Sequence, residues 1–185
     1  VTMDGCTYPL PKPFMVLATQ NSVETYGTYH LPEAQMDRFI MKISMGYPSK
    51  AEELDILMRN ERSVSPKALS QVITCQEIVD LMEEIKDVHC SDAVKNYILD
   101  LVEATRSADF IKLGVSPRGS IALYRMAKAY AMVKGRSYVI PDDVKVLAPY
   151  VLSHRIILTP KGKSVVANNE EAIRRLLANI VVPVK

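Results

Sequence analysis

Three polar side chains are placed where they could act on a ligand: Asn21, Arg38 and Arg118. Asn21 follows the apolar run Phe14-Met15-Val16-Leu17-Ala18, with only Thr19 and Gln20 between. If that run is a buried strand, the amide projects from the carboxyl edge of a sheet, where α/β folds bind ligands, and it can both donate and accept. A turn-forming asparagine accounts for the same spacing. Arg38 closes a short helical segment just before a second apolar stretch. It is either a charge capping the negative end of a helix or a guanidinium held out for function. Arg118 sits differently. With Ser116 as N-cap it falls in the first turn of a helix, whose positive end repels it; free amides and a guanidinium there make an anion site, or else Arg118 is a solvated surface residue.

Other chemistry is excluded by type and spacing. There is no Gly-x-Ser-x-Gly and no His-Glu-x-x-His, and His30, His89 and His154 stand far apart. His89-Cys90 is the one metal-like pairing, but adjacent residues rarely chelate one ion and no further ligands are visible, so a loop between helices accounts for it. Seven glycines without a Gly-Lys-Ser/Thr leave no phosphate-cradling loop, and nine methionines scattered on helical faces are core packing. The cysteines Cys6, Cys75 and Cys90 are odd in number and form no Cys-x-x-Cys, so they are reduced thiols. A net charge of +2 over 185 residues gives no electrostatic case for nucleic acid. No apolar run approaches the roughly 18 residues of a membrane span, and Val1-Thr2-Met3-Asp4-Gly5 lacks the basic start of a signal peptide. A cytoplasmic location follows by default.

The elements that must position these residues are legible in part. Asp4-Gly5 between two short β segments predicts a hairpin, because both residues tolerate positive φ. Phe14–Ala18 reads as a strand buried on both faces, Pro32-Glu33 as the start of a short helix over 33–38, and Phe39–Met45 as a second strand. Strand, loop, helix, strand is the pattern of a parallel α/β sheet. From Ser49 onward the signals are helical. Ser49 with Glu52, and Thr74 with Glu77, form capping boxes that predict helices over 50–60 and 75–87. Ile78, Leu81, Met82 and Ile85 then share one face that must pack, and Val94, Tyr97, Ile98 and Leu101 mark a helix over 92–106. Ser116-Pro117 opens another that runs to about 134 and stops at Gly135; Pro141 opens a shorter one, and Asn168-Asn169 the last. The chain is thus mainly α: a helical bundle over 49–185 preceded by a small α/β piece over 1–48, which has too little surface to close a core alone.

Three stretches carry a family resemblance: Phe14-Met15-Val16-Leu17-Ala18-Thr19-Gln20-Asn21, then Glu24-Thr25 and Gly27-Thr28-Tyr29, then Leu31-Pro32-Glu33-Ala34-Gln35-Met36-Asp37-Arg38-Phe39. With Gly46-Tyr47-Pro48, Ser116-Pro117-Arg118-Gly119, and the stretch from Ala129-Tyr130-Ala131 to Asp142-Asp143-Val144, they closely resemble the MoxR family of AAA+ ATPases over nearly the whole chain. The resemblance implies that residues 1–48 are the end of the nucleotide-binding core and 49–185 its helical lid. The family's P-loop and its magnesium-binding Asp-Glu strand would lie upstream of Val1. On that reading the chain is part of a longer protein and does not hydrolyse ATP by itself.

Carried over by resemblance, Asn21 is similar to the sensor 1 residue that helps place the attacking water. Arg38 resembles the arginine finger, which reaches the nucleotide of the next ring subunit. Arg118 resembles the sensor 2 arginine, acting in cis or in trans. The resemblance further implies ATP and Mg²⁺ as cofactors of the full-length protein, a self-assembled ring, and a client protein, alone or with a von Willebrand factor A-type partner, that is remodelled or given a metal cofactor. Ser22 and His30 stand where relatives often have proline, and Gly119 replaces a commoner alanine, but no charged functional group is lost. The P-loop strand of this fold would lie between the strands at 14–19 and 39–45, so these are expected to pair with each other, with the hairpin or with a second copy. The rival reading is a non-catalytic helical interaction module whose α/β piece is a docking face.

Overall fold

The computed structural model describes residues 1–20, 31–61 and 70–183. They divide into two units, Val1–Met15 with Ile43–Leu81, and Val16–Lys42 with Met82–Lys185.

In the first unit the predicted hairpin is present: β1 (Thr2–Met3) pairs antiparallel with β2 (Cys6–Thr7), with Thr2 opposite Thr7 and Met3 opposite Cys6. Asp4 (φ 51°) and Gly5 (φ 80°) take the left-handed conformation that a two-residue turn of this hand requires. Helix α2 (Lys50–Glu61) begins at its capping box: the Ser49 amide and hydroxyl each donate to Glu52 at 2.7 Å, and the Glu52 amide donates back to Ser49 Oγ at 3.4 Å. Thr74 and Glu77 repeat the arrangement at 2.7 and 3.1 Å ahead of helix α3 (Cys75–Glu84). The hydroxyl and amide donors hold both glutamates below the usual carboxylate range. Local caps are nearly all that shapes this unit. None of its described residues is buried, and Leu54, Ile56 and Leu57 are each more than half exposed.

The two expected strands do not form. Residues 14–18 and 39–45 belong to no ladder; the described sheets are the hairpin and one further pair. The run read as buried on both faces is open, with Met15 75% and Leu17 85% exposed. An isolated apolar segment gains nothing from extending unless a neighbour takes its amides and carbonyls. Of the intervening helix only a single turn, α1 (Glu33–Met36), is present, started by Pro32.

The second unit holds the core, which lies entirely between Val88 and Leu176. Helices α4 (Asp92–Ser107), α5 (Pro117–Val133), α6 (Pro141–Leu152) and α8 (Asn169–Asn179) form a bundle in which α6 packs on α4, α5 and α8. Ala122, Ala127, Ala131, Ala148 and Ala172 are nearly inaccessible, and their small side chains let the helices approach closely around Leu101, Leu123 and Ile173. Ends are fixed as the sequence requires: Ser91 and Asn168 cap α4 and α8, and Gly135 (φ 71°) follows α5. Two features were not legible in the sequence. Strands β3 (Ile111–Leu113) and β4 (Ile157–Leu158) pair antiparallel, and helix α7 (Pro160–Val165) starts from a Thr159 cap.

Gly162 in α7 lies against the Phe110 backbone, where a Cβ would collide with the carbonyl oxygen. Gly162→Ala is therefore expected to destabilise the helical unit by about 1–3 kcal/mol, read as a lower urea midpoint with an unchanged denaturant slope.

Candidate functional site

The site is built around one carboxylate that the sequence reading passed over. Asp37 follows α1, with its side chain 22% exposed, and it collects three donors from the helical unit. Arg155 Nη1 donates to Asp37 Oδ1 at 2.8 Å and to the Asp37 carbonyl at 3.0 Å. Ser116 Oγ donates to Oδ2 at 3.1 Å, and Arg118 Nη1 stands 3.5 Å from the same oxygen. Ser116 is thus the N-cap residue of α5 by position, but its hydroxyl is turned to Asp37 and makes no cap bond.

Two elements hold these donors. The loop before α5 is fixed by α4: Thr105 Oγ1 accepts from the Val115 amide at 3.0 Å, and Arg106 Nε donates to the Val115 carbonyl at 2.9 Å. Residues 153–155, a single 3₁₀ turn after α6, are held by α8, whose Asn169 amide donates to the Ser153 and Ile156 carbonyls at 2.8 and 3.0 Å. That turn carries Arg155, whose side chain is only 2% exposed. Burial pushes its guanidinium pKa down; Asp37 counters this and nearby Arg118 adds to it. A guanidinium stays protonated in proteins, so this is a buried cation whose principal compensation is Asp37.

Of the three residues expected from the sequence, Arg38 and Arg118 lie in this neighbourhood, and Asn21 lies outside the described residues. Arg38 is exposed, and among the described residues its guanidinium has no hydrogen-bond or ion-pair partner. Arg118 is 60% exposed, with one long contact to Asp37. Neither is locked into an internal pair. The α5 terminus is a poorer anion site than its position suggests, since Pro117 has no N–H and the Gly119 amide is spent on the Ser116 carbonyl at 2.9 Å. Its attraction for an anion rests on the Arg118 guanidinium. Among the described residues no three His, Cys, Asp or Glu side chains group as a metal site, and no helix is long and apolar enough to cross a membrane. Cys6 and Cys75 are exposed thiols; Cys90 is buried, and burial raises its pKa.

Arg118 thus stands in the first turn of a bundle helix, beside the short segment that carries Asp37 and Arg38. Residues 1–41 match the family described as "ATPase family associated with various cellular activities (AAA)", and residues 103–176 match the AAA lid domain. "Uncharacterized protein YeaC" of Bacillus subtilis is 48% identical over 185 residues, all of this chain and 58% of the relative. "Chaperone MoxR1" of Mycobacterium tuberculosis is 38% identical over 192 residues, covering 99% of this chain and 50% of the relative. A crystal structure described as a candidate ATPase, from Cytophaga hutchinsonii, superposes with a TM-score of 0.88 at 38% identity, over 99% of this chain and 58% of that one. The chain belongs to the MoxR family of AAA+ ATPases. It spans between 50% and 58% of the length of these relatives.

The neighbouring His154 gives the site a pH dependence. Its Nε2 lies 3.1 Å from the Phe39 carbonyl, which selects the tautomer with the proton on Nε2, and among the described residues its buried Nδ1 has no hydrogen-bond partner. Burial holds its pKa below the ordinary 6.5; Phe39 opposes this, while Arg155 and Lys42 add to it. With the folded pKa depressed, the unfolded chain takes up the proton first as pH falls, so stability is full above about 6.5 and declines below it. Thermal melts between pH 8 and 5 are expected to show a falling midpoint that is flatter in His154→Gln.

Proposed function

We propose that this chain is the C-terminal part of a MoxR-type AAA+ ATPase, with residues 1–48 the end of the nucleotide-binding core and 49–185 the lid, acting in the cytoplasm. The observation that supports the reading is a contact of the lid arginine: Arg118 reaches Asp37, the residue next to Arg38. In a ring, Arg38 would reach the nucleotide of the adjacent subunit, where an in-trans guanidinium stabilises charge on the transferring phosphoryl oxygens. Arg118 would bind phosphate, in cis or in trans, releasing its long contact with Asp37. Asn21 would orient the attacking water through its amide. The exposed Arg38, without a partner among the described residues, and the exposed Arg118 fit a phosphate ligand. ATP would supply the transferable phosphoryl group and Mg²⁺ its neutralisation. By the family resemblance, the metal's ligands would come from a P-loop and an Asp-Glu strand, without which the chain would be inactive.

The work of such a ring would be chaperone-like remodelling of a client protein or insertion of its metal cofactor, alone or with a von Willebrand factor A-type partner. The remodelling part of this reading is supported by the name of one relative, a chaperone. Arg38→Ala in the full-length protein is expected to lower ATP turnover roughly 10³-fold or more while nucleotide affinity, measured by titration, stays near that of the parent. Unchanged turnover would remove Arg38 from the mechanism.

A further inference from the structure

The short segment that carries Arg38 has little of its own to hold it in place. α1 is four residues long, has no side-chain cap and contains no buried residue. Its anchors come instead from the strip around Arg155. Besides its two bonds to Asp37, the Arg155 guanidinium donates through Nη2 to the Phe39 carbonyl at 2.5 Å and to the Ile40 carbonyl at 3.4 Å. Its Nε is tied to the Val151 carbonyl at 2.8 Å, which fixes the fork on α6. His154 donates to the same Phe39 carbonyl, and the Lys42 amide donates to the Tyr150 carbonyl at 2.9 Å. Arg155 therefore grips the residues on both sides of Arg38 and leaves the Arg38 guanidinium exposed, without a partner among the described residues.

We propose that Arg155 is a positioning residue for Arg38: a buried lid arginine that sets where the finger stands, so that the lid of one subunit governs hydrolysis in the site of the next. The inference rests on the reading of Arg38 as a finger acting in trans. A planar guanidinium with five N–H donors is needed to hold a carboxylate and four carbonyls at once, and a lysine ammonium cannot reproduce it. Misplacing a catalytic group by about 1 Å is enough to cost roughly 10²-fold in rate.

The test uses full-length protein in mixed rings. Arg155→Ala is expected to lower turnover roughly 10²-fold with nucleotide affinity unchanged. Mixed with a full-length variant whose P-loop is disabled, it should regain activity, because the partner supplies a well-placed Arg38 to an intact P-loop site. Mixed with Arg38→Ala it should not, because no subunit then supplies a working finger. Rescue by Arg38→Ala would place the role of Arg155 in its own subunit's site and overturn the proposal. Failure of both mixtures would show a merely structural role and overturn it as well. If Arg155→Ala does not fold, Arg155→Lys and Asp37→Asn carry the same mixing test, and parental turnover in Arg155→Lys would end the proposal. Parental turnover in Arg38→Ala is the separate result that would sink the underlying reading.

Discussion

A guanidinium almost wholly withdrawn from water, facing one carboxylate, is the interaction on which the organisation of this molecule turns. Arg155 cannot shed its charge, so burying it requires a counter-charge and a full set of acceptors. Asp37 supplies the charge, and the carbonyls of Asp37, Phe39, Ile40 and Val151 supply the acceptors. Removing the carboxylate would leave a buried cation uncompensated, at a cost of about 3–5 kcal/mol. The sequence stretch that follows α1 is thereby tied to a helical bundle more than a hundred residues later. It is held there by electrostatics and backbone acceptors, together with Met41 packed against the core.

The bundle meets this demand by rigidity. The 3₁₀ turn bearing Arg155 would be free to unwind if Asn169 did not satisfy two of the carbonyls around it. The loop bearing Ser116 and Arg118 is secured in a similar way by Thr105 and Arg106 of α4. At the far end of α6, the buried carboxylate of Asp143 takes two bonds from Arg136 and one from the Ile140 amide, which fixes where that helix begins. Each device pairs a polar side chain with a backbone atom near a helix end or turn. The apolar packing between Val88 and Leu176 provides the cohesion, and these polar ties provide the register.

Helices were legible because their start signals are local. A hydroxyl three residues before a glutamate, or Ser-Pro before an apolar period, specifies a terminus without reference to the rest of the chain. Even so, the cap at Ser116 was read correctly in place and wrongly in chemistry, because Asp37 competes for its hydroxyl. The strands were not legible because a strand is a property of two segments. Phe14–Ala18 and Phe39–Met45 have the composition of buried strands but no described neighbour to pair with, whereas β3 and β4, too short to announce themselves, found each other across the chain. In the candidate site, Arg38 and Arg118 stood out by their positions at helix ends. Asp37 and Arg155 did not, although Arg155 sits within the run from Tyr150 to Leu158, where an obligate cation among apolar residues signals a partner elsewhere.

The pairing of Asp37 with Arg155 spans 118 positions and constrains how the family can drift. Loss of either partner first strands the other: an uncompensated charge inside the bundle, or a carboxylate with its chief donor gone. Any lineage that abandons the pair must cross that unstable intermediate, so the two positions should vary together or stay fixed, however far apart they stand in the chain.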